Sequence, residues 1–371
     1  MNLIVTPGLN VVTRERLRPR RPWTSDLIAD LRRRCFNTPV NSAITLVALV
    51  TMLWGAALML RFAVLDAVFA ANSPAACRAA RGACWATVYQ HARVMFFGLY
   101  PRGEQWRAEF ALALVAAAAA GAAWFGPRRP KRLLLFIAFG WGGFVLLMHG
   151  GLGGLTHVAV EHWGGLPLTI HVFLCSVALG FPLAIALAIG RTSRLPAVRF
   201  TTFLLVELVR SVPLLTILFC AAVVAPLIVP AIFSPAKIGR VILGLALFYA
   251  CLQSEVIRGG MRAVRSGEIE GAAALGLRRW QTMVLVILPQ AIRFTIPATV
   301  NLLVVAFKDT SLIVVVGLFD FLAAANTSIA SDAWAPFFGD VYAVVAATYL
   351  VITGGLSWFG RVAERRLAII R

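Results

Sequence analysis

Eight apolar runs, at about 43–62, 108–126, 133–150, 166–190, 201–226, 239–257, 288–316 and 339–359, constrain the fold of this 371-residue chain more than any other feature. Crossing about 30 Å of hydrocarbon takes roughly 20 apolar residues in a helix. Only helices satisfy their own backbone hydrogen bonds there, and a closed barrel would show short alternating segments instead. The chain is 60% hydrophobic and only 14% charged. We therefore expect an all-α polytopic membrane protein with about eight transmembrane helices.

The net charge of +19 invites a nucleic-acid reading, which its distribution dismisses. Counting basic residues at the span ends with the loops beside them, 25 of the 35 Lys and Arg fall on one side of the membrane and eight on the other, with Arg210 and Lys308 deeper inside spans. Basic loops stay cytoplasmic. Both termini and residues 255–289 are thus expected in the cytoplasm, and residues 66–107 outside. The basicity records topology, not a nucleic-acid partner. Eight arginines precede the first apolar run, which suits a cytoplasmic anchor better than a cleaved secretory signal.

Of six cysteines, Cys35, Cys175, Cys220 and Cys251 fall where a small hydrophobic filler is the plain reading. Cys77 and Cys84 share the loop expected outside, where disulfides persist. Their seven-residue separation closes into a bridge if the chain turns; two free thiols are the alternative. A metal pair is disfavoured, because His91 is the only histidine nearby.

The chain divides into a basic cytoplasmic segment 1–42, three accessory spans with the long loop 66–107 in residues 43–163, and five spans in 164–371. Glycines at 150–154, with Gly164 and Gly165, mark the last boundary. The alanine-rich stretch 116–123 suits close helix packing. No internal repeat is visible, nor the paired broken segments of an inverted-repeat secondary transporter.

None of the three lysines, Lys131, Lys237 and Lys308, completes a phosphate-cradling Walker loop. Zinc-peptidase and G-x-S-x-G motifs are missing as well. The chain is therefore not expected to be an enzyme, or to hold a metal or cofactor. If transport runs on ATP, another chain must hydrolyse it.

Residues 255–289 interrupt the apolar pattern with charge and glycine. Ser266 and Gly267, followed by Glu268 and Glu270, predict a helix start whose acid side chains complement the positive end of the helix dipole. Gly271 and the alanines at 272, 273 and 274 extend it for about two turns, and Gly276 can end it in a left-handed conformation. A short helix with a nearly bare alanine face can lie deep in a partner's groove. An amphipathic helix on the membrane surface is the other reading.

At these residues the chain resembles the membrane subunits of ATP-binding-cassette importers. Their EAA loop runs Glu-Ala-Ala, three residues, Gly, nine residues, then Ile-x-Leu-Pro. Glu270, Ala272, Gly276, Leu288 and Pro289 match at that spacing, within a loop at 258–288, while Gly271 replaces the first alanine and Val286 the isoleucine. Residues 254–260, 288–291 and 307–312 resemble the polar-amino-acid branch, as does 207–215, with Ser211 where glycine is usual. The resemblance covers about 166–366; residues 82–86 and 98–107 resemble the larger membrane subunit of the general L-amino-acid permease.

This resemblance implies a bacterial inner-membrane permease for L-amino acids whose last five helices form the transport core. It implies that Glu268, Glu270, Ala272, Ala273, Gly276, Leu288 and Pro289 couple it to the ATPase. The implied partners are two ATPase subunits holding ATP and Mg, a smaller homologous permease and a periplasmic amino-acid-binding protein. An ion-gradient-driven amino-acid transporter or channel is the alternative.

An ionisable side chain in a span costs about 2.5–3.5 kcal/mol if it meets lipid, so such groups face the bundle interior and pair. Glu207 and Arg210 lie three apart on one helix face and are expected as a structural ion pair. Glu255 and Arg258 fit structural pairing near the cytoplasmic end of their span. Lys308, Asp309, Thr310 and Ser311 are read either as a translocation path or gate, or as structural pairing.

Overall fold

The computed structural model describes residues 34–125, 130–151, 153–230, 235–330 and 333–367. Most of the basic segment 1–42 therefore lies outside the described residues. Within them the structure is helical apart from two isolated bridges, Val68 with Cys84 and Gly165 with Asp320.

The chain forms two units. The first holds α1 (Pro39–Leu60), its π-helical extension Arg61–Leu65, and Arg81–Ala83. Thr38 caps α1 by accepting from Asn41 N at 3.2 Å, and Pro39, whose missing N–H costs nothing in a first turn, starts it. The other helices belong to the second unit.

In the second unit, α2 (Pro74–Ala79) and α3 (Trp85–Phe97) precede two packed helices, α4 (Gln105–Phe125) and α5 (Pro130–His149). Small residues set the α4–α5 distance. A Cβ on Gly140 would come within 2.5 Å of Ala118 Cβ, so the alanine stretch packs as its composition predicts. The sulfurs of Cys77 and Cys84 are bonded, with Cα atoms 5.5 Å apart. Cys84 N also donates to Asp340 Oδ2 at 2.8 Å.

The remaining helices form the larger bundle. They are α6 (Gly165–Arg191), α7 (Pro196–Ser211), α8 (Leu214–Phe219), α9 (Ala225–Ile228), α10 (Lys237–Arg262), α11 (Ser266–Ala274), α12 (Arg279–Gln281), α13 (Leu288–Phe294), α14 (Ile296–Asp309), α15 (Phe321–Ile329) and α16 (Phe338–Leu367). The most extensive contact is between α6 and α10. Gly180 permits it: a Cβ there would meet Tyr249 Cδ1 at 2.7 Å and the Ala246 carbonyl at 2.8 Å. An aromatic chain continues inward, with ring centroids 5.4 Å apart for Phe173–Phe307 and 5.3 Å for Phe307–Tyr349, joining α6, α14 and α16.

Among the described residues, six helices are long and apolar enough to cross a membrane, or seven if one bent pair counts as a span. The shorter apolar helix Leu134–His149 corresponds to the remaining expected run. Two expected spans are broken. The run 201–226 bends by 104° between α7 and α8. Pro213 lies at that break, and it has no N–H to continue the helical ladder. The run 288–316 breaks at Thr295, whose hydroxyl donates to Ala291 O at 3.0 Å, and Pro297 opens the new helix. The span proper is Ile296–Val316, its end tightened into a 3₁₀ helix over Thr310–Val316.

Asp320 sets the start of α15, accepting from Leu322 N at 3.2 Å and Ala323 N at 3.0 Å. Burial pushes its carboxyl up to about 6, while the bonds from the Leu322 and Ala323 N–H groups pull it the other way. Close packing at Gly180 makes a stringent test of the bundle. Gly180→Val should destabilise the protein by about 1–3 kcal/mol through overpacking. Thermal unfolding in detergent measures this, and an unchanged midpoint would contradict the tight α6–α10 contact.

Candidate functional site

Three features of the larger bundle carry chemistry. The first is α11, which sits on the exposed polar loop between α10 and α13. Its C-terminus closes as a Schellman motif: Leu277 N donates to Ala272 O at 3.1 Å and Gly276 N to Ala273 O at 3.0 Å. Gly276 adopts φ +76°, a left-handed conformation that glycine enters without penalty. Ala272 is buried against the loop, while Glu268, Glu270, Ala273 and Gly276 are exposed. Leu275 (83% exposed) and Trp280 (63% exposed) add a bare apolar surface beside the acidic pair.

The base of this loop is pinned. A Cβ on Gly260 would come within 2.6 Å of Ala291 O, so α10 and α13 touch where the loop leaves and re-enters the bundle. Leu288 is half-buried there, and Pro289 is exposed in the first turn of α13. A π-helical turn, Thr282–Ile287, connects α12 to α13 and packs against α11. α11 is therefore joined to both helices by short, packed connections.

The second feature is an ionic cluster at the same end of the bundle. Arg191, the last residue of α6, contacts Glu255 Oε1 of α10 at 2.6 Å and Glu207 Oε1 of α7 at 3.2 Å. Its guanidinium lies 5.1 Å from the Phe203 ring centroid. Arg258 pairs with Glu255. The expected Glu207–Arg210 pair is present but longer, at 3.6 Å, and it is half-exposed. Arg191 is the hub: its side chain is only 9% exposed, and it ties three helices together.

The third feature is a small cavity between α6, α10 and α14, with room for about one water molecule. Its lining includes Phe173, Ser176, Phe248, Tyr249, Asp309 and Thr310. Tyr249 is buried, and its hydroxyl has no hydrogen-bond partner among the described residues. One turn along α10, Gln253 Nε2 donates to Thr299 Oγ1 at 2.8 Å. Of the four residues read as a path or gate, Asp309 and Thr310 line this cavity. Lys308 is exposed and Ser311 donates back to Lys308 O at 2.8 Å, so the structure does not bring these two to it.

Residues 180–369 match the family described as binding-protein-dependent transport system inner membrane component, across α10, α11, the ionic cluster and the part of the cavity lining on α10 and α14. The chain belongs to this family. Its members are transport permeases, not enzymes, and the multispan fold agrees with an inner-membrane protein. The chain is 32% identical to the inner membrane amino-acid ABC transporter permease protein YhdY of Escherichia coli (strain K12), over 94% of this chain and 95% of the relative. It is 30% identical to the glutamate/glutamine/aspartate/asparagine transport system permease protein BztC of Rhodobacter capsulatus, over 96% and 98%. Among solved structures it is similar to one titled "Crystal structure of an amino acid ABC transporter with histidines", with TM-score 0.49, 26% identity, and coverage of 54% of this chain and 92% of that one.

In this permease, sequence reasoning paired Glu207 with its helix neighbour and missed Arg191, whose contacts are made across helices. Ser176, Tyr249 and Gln253 were missed as well. The signal available for two of them was a polar pair four residues apart inside an apolar run. Arg191→Met keeps the stem and leaves two carboxylates without their shared cation. Glu255 keeps Arg258 and Glu207 keeps Arg210, so we expect a loss of about 1.5–3 kcal/mol, as for hydrogen bonds to charged groups. Arg210→Met, at an exposed pair, should cost below about 1 kcal/mol. Equal losses in thermal unfolding would refute the hub assignment.

Proposed function

We propose that this permease subunit imports L-amino acids, driven by ATP hydrolysis on two separate ATPase subunits that hold ATP and Mg. The observation that carries the proposal is α11. It combines the EAA-type spacing from Glu270 to Pro289 with an exposed acidic and apolar surface on a loop pinned at its base. Glu268, Glu270, Ala272, Ala273, Gly276, Leu288 and Pro289 form this coupling element. The names of the relatives YhdY and BztC support amino acids as the cargo class.

In this reading α11, the ionic cluster and both termini face the cytoplasm, as the excess of basic residues on that side favours. A smaller homologous permease completes the pathway, and a periplasmic amino-acid-binding protein delivers substrate to the opposite face. The bridged Cys77–Cys84 pair suits that oxidising side. The cavity at Asp309 is this subunit's share of the path. Its carboxylate and the Tyr249 hydroxyl offer an acceptor and a donor for an amino-acid head group. A cavity with room for one water must open for cargo, so transport requires a second state in which α6, α10 and α14 separate. Partners drive that change only through contacts that differ between the two states.

Glu270→Lys reverses the charge on the exposed face of α11. It should lower ATPase co-purification and amino-acid uptake in proteoliposomes by at least about tenfold, the equivalent of 1.4 kcal/mol in binding, with membrane insertion unchanged. Normal co-purification and uptake would sink the docking role. Asp309→Asn should leave the ATPase bound and reduce uptake. Uptake that survives an inactive ATPase yet collapses with an ionophore would favour the ion-gradient alternative.

A further inference from the structure

The turn that closes α5 brings together two imidazoles that belong to none of the sites described above. α5 ends at His149, and Gly150, Gly151, Gly153 and Gly154 follow with φ values of +67°, +81°, +63° and +81°. Such left-handed backbone is open to glycine and disfavoured for other residues, so the run reverses the chain sharply. Gly151 N then donates to Leu155 O at 3.0 Å and Val158 N to His149 O at 2.8 Å, holding the returning segment against the helix end. His149 Nε2 and His157 Nε2 lie 3.0 Å apart, with ring centroids separated by 4.3 Å and planes at 81°.

This turn is built, not loose. Arg107 of α4, fully buried, donates through Nε to Leu147 O at 2.7 Å and through Nη1 to Thr156 O at 2.9 Å. Glu104 Oε1 accepts from Thr156 Oγ1 at 2.7 Å. The chain is thus anchored from beneath, within two residues of each histidine. The histidines themselves stay reachable, His149 half-buried and His157 exposed.

Two neutral imidazoles can share one hydrogen bond, but at a solvent-facing site such a bond contributes little. Metal chelation uses the same geometry more fully. Metal–nitrogen bonds of about 2.1 Å, meeting at about 90–109°, place the two nitrogens about 3.0–3.4 Å apart. The observed separation falls at the short end of that range. Rotation about His χ2, a broad torsion, turns both lone pairs toward a common ion. Imidazole donors suit zinc, copper and nickel, whereas magnesium and calcium prefer oxygen.

We propose that His149 and His157 form a two-imidazole site for a divalent transition-metal ion of the zinc, nickel and copper class. Among the described residues no group of three or more metal-ligating side chains occurs, so water fills the other positions. The ion staples the turn that leads from the α4–α5 pair into α6.

The untagged protein in detergent, titrated with zinc and nickel chlorides, tests this. Wild type should bind one equivalent per chain, with an upward shift of the thermal midpoint. His149→Ala and His157→Ala should each weaken binding at least about tenfold, since loss of a residue that merely supports a ligand already costs that much. His162→Ala, in the neighbouring turn Val160–His162, should change neither affinity nor stoichiometry. Matching midpoints of the metal-free proteins would show that the substitutions spare the fold. Binding that survives both alanine substitutions overturns the proposal, as does wild type binding no metal. Copper electron paramagnetic resonance on wild type alone gives an independent arm: two equatorial imidazole nitrogens support the site, and one or none refutes it.

Discussion

The contact between α6 and α10 organises the bundle. A membrane span gains nothing by burying apolar surface against another apolar helix, because lipid is as apolar as leucine; close packing must supply the attraction. Gly180 lets α10 approach until Tyr249 and the Ala246 carbonyl occupy the space a side chain would need. At the middle of this seam lies the cavity with Ser176, Tyr249 and Asp309. At its end, Arg191 of α6 grips Glu255 of α10. One seam thus carries both the candidate path and the clamp.

Breaks in the helices matter as much as their length. Pro213 turns α7 away from α8, and Thr295 separates α13 from α14. Each break would leave backbone groups unsatisfied in lipid. Around Thr295 they find partners locally: its N–H and hydroxyl both return to Ala291 O, at 3.1 Å and 3.0 Å. Segments joined at such points can move as separate bodies while each keeps its own hydrogen bonds. The contact of Gly260 with Ala291 then links α10 to α13 at the base of the loop bearing α11. The loop bearing α11 is thus rooted on α10, one of the two helices of the α6–α10 seam.

Local chemistry was legible in the sequence wherever one segment contained its own cause. The Ser266–Ala274 helix, its acidic start and its left-handed stop at Gly276 follow from near neighbours in the chain. The alanine stretch around Ala118 declared close packing because small residues have no other evident use there. The Glu207–Arg210 pair was readable as well, yet its spacing overstated its importance. Three residues on one helix place two charges side by side, but they do not reveal a third from another helix.

The sequence by itself determined the solvent this protein folds in, the helical class, the position of α11 and the family to which the chain belongs. Those follow from hydrophobic run length, backbone hydrogen-bonding demands and motif spacing, all properties of contiguous residues. Only the tertiary structure decided that Arg191 is the ionic hub, that Asp309 and Thr310 but not Lys308 and Ser311 line the cavity, and that His149 meets His157. Each depends on which face of a helix turns toward which neighbour. That choice is made by packing across the bundle, where a glycine or a single turn of backbone sets the distances, and no local pattern records it.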